Sequence, residues 1–301
     1  MNAIEMKELT KRYGKNRGIQ NITLAVKEGD IFGYLGPNGA GKSTSIRCLL
    51  EMISISSGEA CLLGQRMGTA GGNGEKRILR KVFNRVGYMP SEAYFYPAMR
   101  VGEVIKYSAR LRGLDCDKEA GRLCAILEVD RNKRIRELSL GNRKKVSIVC
   151  ALQHRPELVI LDEPTSGLDP LMQEAFFDLL MERNRDGMTC FLSSHVLSEV
   201  KRYCRHVGIL RDGELVKVDT VENLTRTKLR KVRISGPAFI PQMEGISEVT
   251  ALGDGFSFSW HGEVAALLEA LRGMEVKDLL ISEPALEEVF MHFYSNETSV
   301  G

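Results

Sequence analysis

The sequence predicts an α/β protein built around a mostly parallel sheet, followed by a small α+β region. Three observations predict it. A glycine-rich segment, Gly36 to Thr44, follows a short apolar run and precedes a helical pattern. Leu158-Val159-Ile160-Leu161 is a continuous apolar run, the mark of a central strand covered on both faces. Strand-like and helix-like segments alternate up to about Asn223, after which the composition shifts.

Taken in order, Ile4 to Thr10 and Ile19 to Val26 alternate apolar and polar residues and read as strands. Asp30 to Leu35 is a short buried strand that enters the glycine-rich loop, and a helix is predicted from Lys42 to Met52. Gly58 to Gly64 reads as a strand closing on a turn, and Gly68 to Gly74 as a linker. A basic helix follows from Glu75 to Asn84, its charge read as a solvated face. Val86 to Pro90 is a strand, and Val101 to Glu137, free of proline, reads as helical. Lys144 to Gln153 is a helix ahead of the Leu158 strand; Thr189 to Ser194 and His206 to Leu210 are strands separated by a helix from Val196 to Cys204. Beyond Asn223, strands are predicted at Val232–Ile234, Val249–Leu252 and Phe256–Trp260, and helices at Ala265–Arg272 and Pro284–Phe293. The expected domains are 1–222 and 223–301, with a helical subdomain at about 91–153.

The 301 residues suit one large and one small domain, and 43% hydrophobic with 27% charged residues is a soluble, globular balance. A net charge of +3 is too weak to argue for nucleic acid or an anionic membrane surface as the main partner, and no nucleic acid is expected. No apolar run reaches the roughly 18 residues of a membrane span, and the start of the chain lacks the apolar stretch of a secretory signal. The seven cysteines include no CxxC pair and read as reduced, mostly buried residues.

Gly36-Pro37-Asn38-Gly39-Ala40-Gly41-Lys42-Ser43-Thr44 satisfies GxxxxGK[ST] in full. Glycines let successive backbone N–H groups turn inward around an anion, and the helix N-terminus adds positive field. Lys42 can reach the β- and γ-phosphates of ATP, and the Ser43 hydroxyl can ligate Mg²⁺. A chance match has odds on the order of one per cent at this length. The Leu158 strand ends in Asp162 and Glu163. An acid at that strand end supports Mg²⁺, here Asp162, and Glu163 is placed to polarise the attacking water. Alone, the two acids would read as an acidic turn.

Leu138-Ser139-Leu140-Gly141-Asn142 resembles the signature motif of ATP-binding cassette (ABC) proteins, usually LSGGQ. Ser166-Gly167-Leu168-Asp169 is similar to the family's D-loop, Ser193-Ser194-His195 to its switch histidine, and Tyr13 to its adenine-stacking aromatic. The resemblance covers roughly Ile4 to Val218. It implies an N-terminal antiparallel β subdomain, a parallel-sheet core and a helical subdomain. It further implies a head-to-tail dimer in which the γ-phosphate meets Lys42 of one chain and Ser139 and Gly141 of the other, with Asp169 at the same interface. His195 would hold the γ-phosphate and water in register. Read in isolation, Ser139 is an ordinary N-cap, His195 a structural histidine and Tyr13 a packing residue. His154, His206, His261 and His292 read as structural.

Two departures from the family pattern stand out. Ser91 replaces the usual glutamine after Tyr88-Met89-Pro90, which makes Glu92 the candidate Mg²⁺ ligand there. The signature carries Leu140 and Asn142 in place of Gly and Gln. Asn142, Lys144-Lys145 and Leu286 to Phe290 resemble the ATPase subunits of ABC-2-type exporters of drugs and antibiotics. That branch implies integral membrane permease subunits as partners and a peripheral position on the cytoplasmic face of the membrane. The loop with Tyr94, Phe95, Tyr96 and Pro97 is expected to receive a helix of the membrane subunit, the alternative being a local packing cluster. The competing functional reading is a non-transport ABC ATPase acting on ribosomes or DNA. Against it stand a single cassette and no sustained heptads.

Overall fold

A computed structural model describes residues 1–14, 16–68, 73–225, 229–237, 239–241 and 243–282. The chain divides into two compact units, Met1–Val221 and Glu222–Gly301.

The first unit opens with antiparallel β1 (Asn2–Tyr13) and β2 (Asn16–Lys27). β3 (Ile31–Leu35), buried at every position, leads through the glycine-rich loop into α1 (Lys42–Leu49). α1 stops short of the expected Met52 because Glu51 turns left-handed at φ 54°. β4 (Ser57–Leu62) and β5 (Gln65–Met67) complete an antiparallel sheet of order β2-β1-β4-β5. α2 (Asn73–Asn84) and β6 (Val86–Met89) follow.

The helical pattern expected over Val101–Glu137 is broken in two, as α3 (Val101–Leu111) and α4 (Asp117–Ile126), with a single 3₁₀ turn at Ile135–Glu137. Left-handed residues end each helix, Gly113 at φ 73° and Glu128 at φ 54°. α5 (Leu140–Leu152) starts at the signature segment. β7 (Leu158–Asp162), α6 (Pro170–Arg185), β8 (Thr189–Ser194), α7 (Leu197–Tyr203), β9 (His206–Arg211), β10 (Glu214–Thr220) and α8 (Val221–Thr225) complete the series. Neither α6 nor β10 has a counterpart among the sequence expectations, although Asp169 capping a helix that begins with Pro170 is a legible start signal.

The central sheet has the order β10-β9-β3-β8-β7-β6, parallel except for the β9–β10 hairpin. Its register pairs Leu35 with Ser194 and Asp162 with Ser193, so β3, β8 and β7 end level with one another. This puts the glycine-rich loop, His195 and the two acids on a single sheet edge, where ligands bind in open α/β sheets. Every residue of β3, β7 and β8 is buried, which anchors that edge in the core. Phe32 and Phe191 stack inside it at 5.9 Å between ring centres.

The second unit carries an antiparallel sheet of order β12-β13-β11-β14, formed by β11 (Leu229–Ser235), β12 (Ile246–Leu252), β13 (Gly255–His261) and β14 (Asp278–Ser282), with α9 (Val264–Ala270). Val232, Ile234, Phe258, Trp260, Leu267 and Leu271 form its core. The Pro284–Phe293 helix, the Leu286–Phe290 motif, His292 and positions 69–72 of the linker lie outside the described residues. All seven cysteines are free. Burial pushes the thiols of Cys150 and Cys190 up to about 12, so they remain protonated.

Candidate nucleotide site

The glycine-rich loop is shaped by two left-handed glycines, Gly39 at φ 84° and Gly41 at φ 104°. A side chain at Gly41 would also meet Ile19 at 2.7 Å. Both ends of the loop are held from behind. Gly36 N donates to Ser194 O at 3.3 Å. At the other end, Gly213 N in the β9–β10 turn donates to Ala40 O at 3.0 Å, while Gly213 O accepts from Gln20 N at 2.8 Å. Pro37, Asn38 and Gly39 are exposed, and Ser43 and Thr44 are half-exposed at the start of α1.

Lys42 is 5% exposed and folds back over the loop. Its Nζ donates to Gly36 O at 2.5 Å and Pro37 O at 3.1 Å, and lies 3.1 Å from Glu163 Oε1. The other carboxylate oxygen, Glu163 Oε2, is 2.6 Å from His195 Nδ1. The fold thus brings Lys42, Glu163 and His195 into one cluster, although 121 positions separate Lys42 from Glu163 in the chain. The Glu163 backbone is itself unusual, at φ 51° in the left-handed region. Its N–H donates to Ser193 O (3.2 Å) and Oγ (3.1 Å), and its carbonyl accepts from Lys144 Nζ at 2.6 Å.

Asp162 is 1% exposed, and its Oδ1 accepts from Ser193 Oγ at 2.7 Å. The next serine supports the histidine loop: Ser194 Oγ donates to the buried Glu199 carboxylate at 3.0 Å and accepts from Val196 N at 2.9 Å. Sequence reasoning missed Ser193, Glu199 and Lys144. The only signal for Ser193 was its place beside His195. Lys144 sat in a basic run that resembles a solvated face.

The remaining candidates bond within their own segments. Ser139 caps α5, its Oγ accepting from Asn142 N at 3.3 Å, and Asp169 caps α6, its Oδ1 accepting from Met172 N at 3.0 Å. Gly141 packs so closely on Gly167 that a Cβ would lie 2.6 Å from the Gly167 carbonyl oxygen. The signature and D-loop segments therefore touch inside one chain. Tyr13 ends β1 at 43% exposure, with Lys11 Nζ 5.4 Å from its ring centre. Glu92 is exposed beyond β6, and its carboxylate accepts from the Tyr94 hydroxyl.

The donor chemistry can be tested against Mg²⁺. Ser43 and Asp162 offer hard oxygen ligands, as Mg²⁺ requires. Among the described residues, no three His, Cys, Asp or Glu side chains form a metal-holding group. Mg²⁺ is usually held by one or two protein oxygens together with substrate phosphates, and Ser43 and Asp162 can supply such oxygens. The residues therefore fit the ion.

An open parallel sheet with a glycine loop, an ammonium and two acids at one edge defines a nucleotide-phosphate-binding ATPase of the P-loop class. A family model described as ABC transporter matches residues 19–166. The bacitracin transport ATP-binding protein of Bacillus licheniformis is 32% identical, over 98% of each chain. An uncharacterized ABC transporter ATP-binding protein of Bacillus subtilis is 31% identical, over 94% of this chain and 95% of the relative. A solved ATP-binding subunit of an ABC transporter superposes with a TM-score of 0.68 at 27% identity, covering 74% of this chain and 92% of the other. The chain belongs to the ABC transporter ATP-binding proteins: it binds ATP and hydrolyses it as the ATPase subunit of a transporter. Among the described residues, no helix is long and apolar enough to cross a membrane.

Proposed function

We propose that the chain powers an ABC-2-type exporter of drugs, antibiotics or other amphipathic compounds, acting as a homodimer on separate integral membrane permease subunits at the cytoplasmic face. The observation that carries the catalytic part is the convergence of Lys42, Glu163 and His195 on the sheet edge that also bears Asp162. Support for the exporter part comes from relatives. Besides the bacitracin transport protein, a linearmycin resistance ATP-binding protein of Bacillus subtilis is 29% identical over 96% of this chain and 97% of its own length.

In this reading, the N–H groups of Gly39 to Lys42 cradle the phosphates, and the Lys42 ammonium moves from Glu163 to the γ-phosphate. Glu163 then takes a proton from the attacking water, with His195 keeping its carboxylate in place. Ser43, Asp162 and Glu92 would hold Mg²⁺, Glu92 by exchanging its Tyr94 hydrogen bond. When bound, the ion neutralises phosphate charge. Tyr13 stacks on adenine. Ser139, Gly141 and Asp169 meet the γ-phosphate side of a second copy, the α5 N-terminus serving as an anion site. Tyr94 and Tyr96, at 84% and 70% exposure, present the docking loop to the permease. The test is affinity purification of the tagged chain from membranes. Recovery of an integral membrane partner, with ATP-dependent export lost on its deletion, is expected. Ribosome-associated ATPase activity without a membrane partner would overturn the transport reading.

A further inference from the structure

We infer that Lys144 is a positioning residue for hydrolysis, holding the backbone turn that aims Glu163. The inference rests on Glu163 being the residue that activates water.

The turn needs holding. A non-glycine residue at φ 51° is locally strained, and such a conformation persists only where its surroundings fix it. Glu163 is fixed on both sides. Its N–H is gripped by Ser193, and its carbonyl by the Lys144 ammonium at 2.6 Å. The next residue is Pro164, which has no N–H with which to stabilise a tighter turn. Without Lys144, this carbonyl loses a charge-assisted bond and, because the Pro164 ring fixes its own φ, the strained turn relaxes through the Glu163 backbone. The carboxylate would then swing away from its place between Lys42 and His195.

Lys144 is costly to keep where it is. It is 2% exposed on α5, next to buried Val146, Ser147 and Ile148. Burial pulls its ammonium below the usual lysine range, against the opposing pull of Glu163, Asp162 and Glu199. An apolar residue would satisfy the core equally well, and a buried charge without a partner is strongly destabilising. The hydrogen-bond partner is the Glu163 backbone carbonyl, and the Glu163, Asp162 and Glu199 carboxylates supply the opposing charge. Lys144 also stands on the helix that Ser139 begins. A shift of the signature helix on meeting a second copy would therefore reach Glu163 through this one bond.

The test uses the full-length chain, with phosphate release measured for turnover and a fluorescent ATP analogue for affinity. Lys144→Met should lower kcat roughly 10- to 100-fold, the scale of a misplaced catalytic group. ATP affinity should hold or rise, by no more than about fivefold, because a displaced Glu163 carboxylate releases Lys42 to the γ-phosphate. Lys144→Arg, which retains a charged donor, should recover most of the rate. In a Glu163→Gln background, Lys144→Met should change the residual rate by less than about twofold, because the group it aims is already disabled. The inference is overturned if Lys144→Met turns over within about twofold of the parent, or if it slows Glu163→Gln as much as it slows the parent. Should Lys144→Met fail to fold by thermal melt, Lys144→Gln takes its place under the same two criteria. The two readings fail separately. Full activity in Glu163→Gln removes the catalytic reading, whereas an inactive Glu163→Gln beside an active Lys144→Met removes only this one.

Discussion

Replacing Glu163 with glutamine keeps the volume of the side chain but removes the charge between Lys42 and His195. Lys42 Nζ and Glu163 Oε1 are 3.1 Å apart, with side-chain exposures of 6% and 16%. At an effective dielectric constant of about 20, that separation gives a gross attraction of about 5 kcal/mol. The γ-phosphate competes for the same ammonium, so the ion pair opposes ATP binding. Most of the gross figure cancels, because an ammonium left without its carboxylate is itself poorly solvated. A net gain of about 1 kcal/mol, about fivefold in Kd, is the expected remainder. On the proposed mechanism the same change removes the proton acceptor, which costs about 10²- to 10⁴-fold in kcat. Glu163→Gln should therefore bind ATP more tightly, hydrolyse it far more slowly and accumulate closed dimers. Analogue titration, phosphate release and size-exclusion chromatography read the three effects. Parental turnover would eliminate Glu163 as the base, and unchanged or weaker affinity would refute the competition for Lys42.

Lys42→Ala should weaken ATP binding by about 1.5–3 kcal/mol, the scale of a hydrogen bond to a charged group, and retained affinity in a binding titration would contradict its phosphate role. Gly141→Ala drives a Cβ to 2.6 Å from the Gly167 carbonyl and should displace the start of α5. It is expected to lower stability by about 1–3 kcal/mol and to slow turnover, and an unchanged melting temperature would count against this packing account. His154 bears on acid stability: burial pulls its pKa from 6.5 down to about 4. The unfolded chain binds the proton first, so the contribution of His154 is complete above pH 6.5 and is lost as pH falls toward 4, with an upper bound of about 3 kcal/mol. His154→Gln should flatten the fall in urea midpoint between pH 7 and pH 5, and an identical fall in both proteins would exclude His154 as its source.

Local features were legible in the sequence, and long-range ones were not. The phosphate loop was readable because its glycine backbone, the Lys42 ammonium and the Ser43 hydroxyl all fall within nine consecutive residues. The Leu158–Leu161 strand was readable because burial on both faces leaves a continuous apolar run. The end of α4 was hidden because Glu128, not a glycine, makes the left-handed turn there, whereas Gly113 after α3 is a glycine stop signal that the proline-free helical reading ran through. Lys144 was hidden because Arg143-Lys144-Lys145 looks like a wetted helix face, whereas both lysines are buried. Only the folded chain, with Lys144 Nζ on the Glu163 carbonyl just past β7, shows what Lys144 holds. Ser139, Gly141 and Asp169 divide along the same line. The capping jobs of Ser139 and Asp169 can be read from the sequence, but the close packing of Gly141 on Gly167 is not revealed by the motif.

The bracing of the phosphate loop by the β9–β10 turn bears on the entropy of each catalytic cycle. Ordering a free backbone residue costs roughly 1–2 kcal/mol. A loop that had to settle anew around every ATP would surrender that amount several times over per turnover. With Gly36 tied to Ser194 and Ala40 tied to Gly213, both ends of the loop are held by the fold before any nucleotide arrives. Each incoming nucleotide meets a receptor already in shape, and the free energy of phosphate contact is left to move the machine rather than to tidy it.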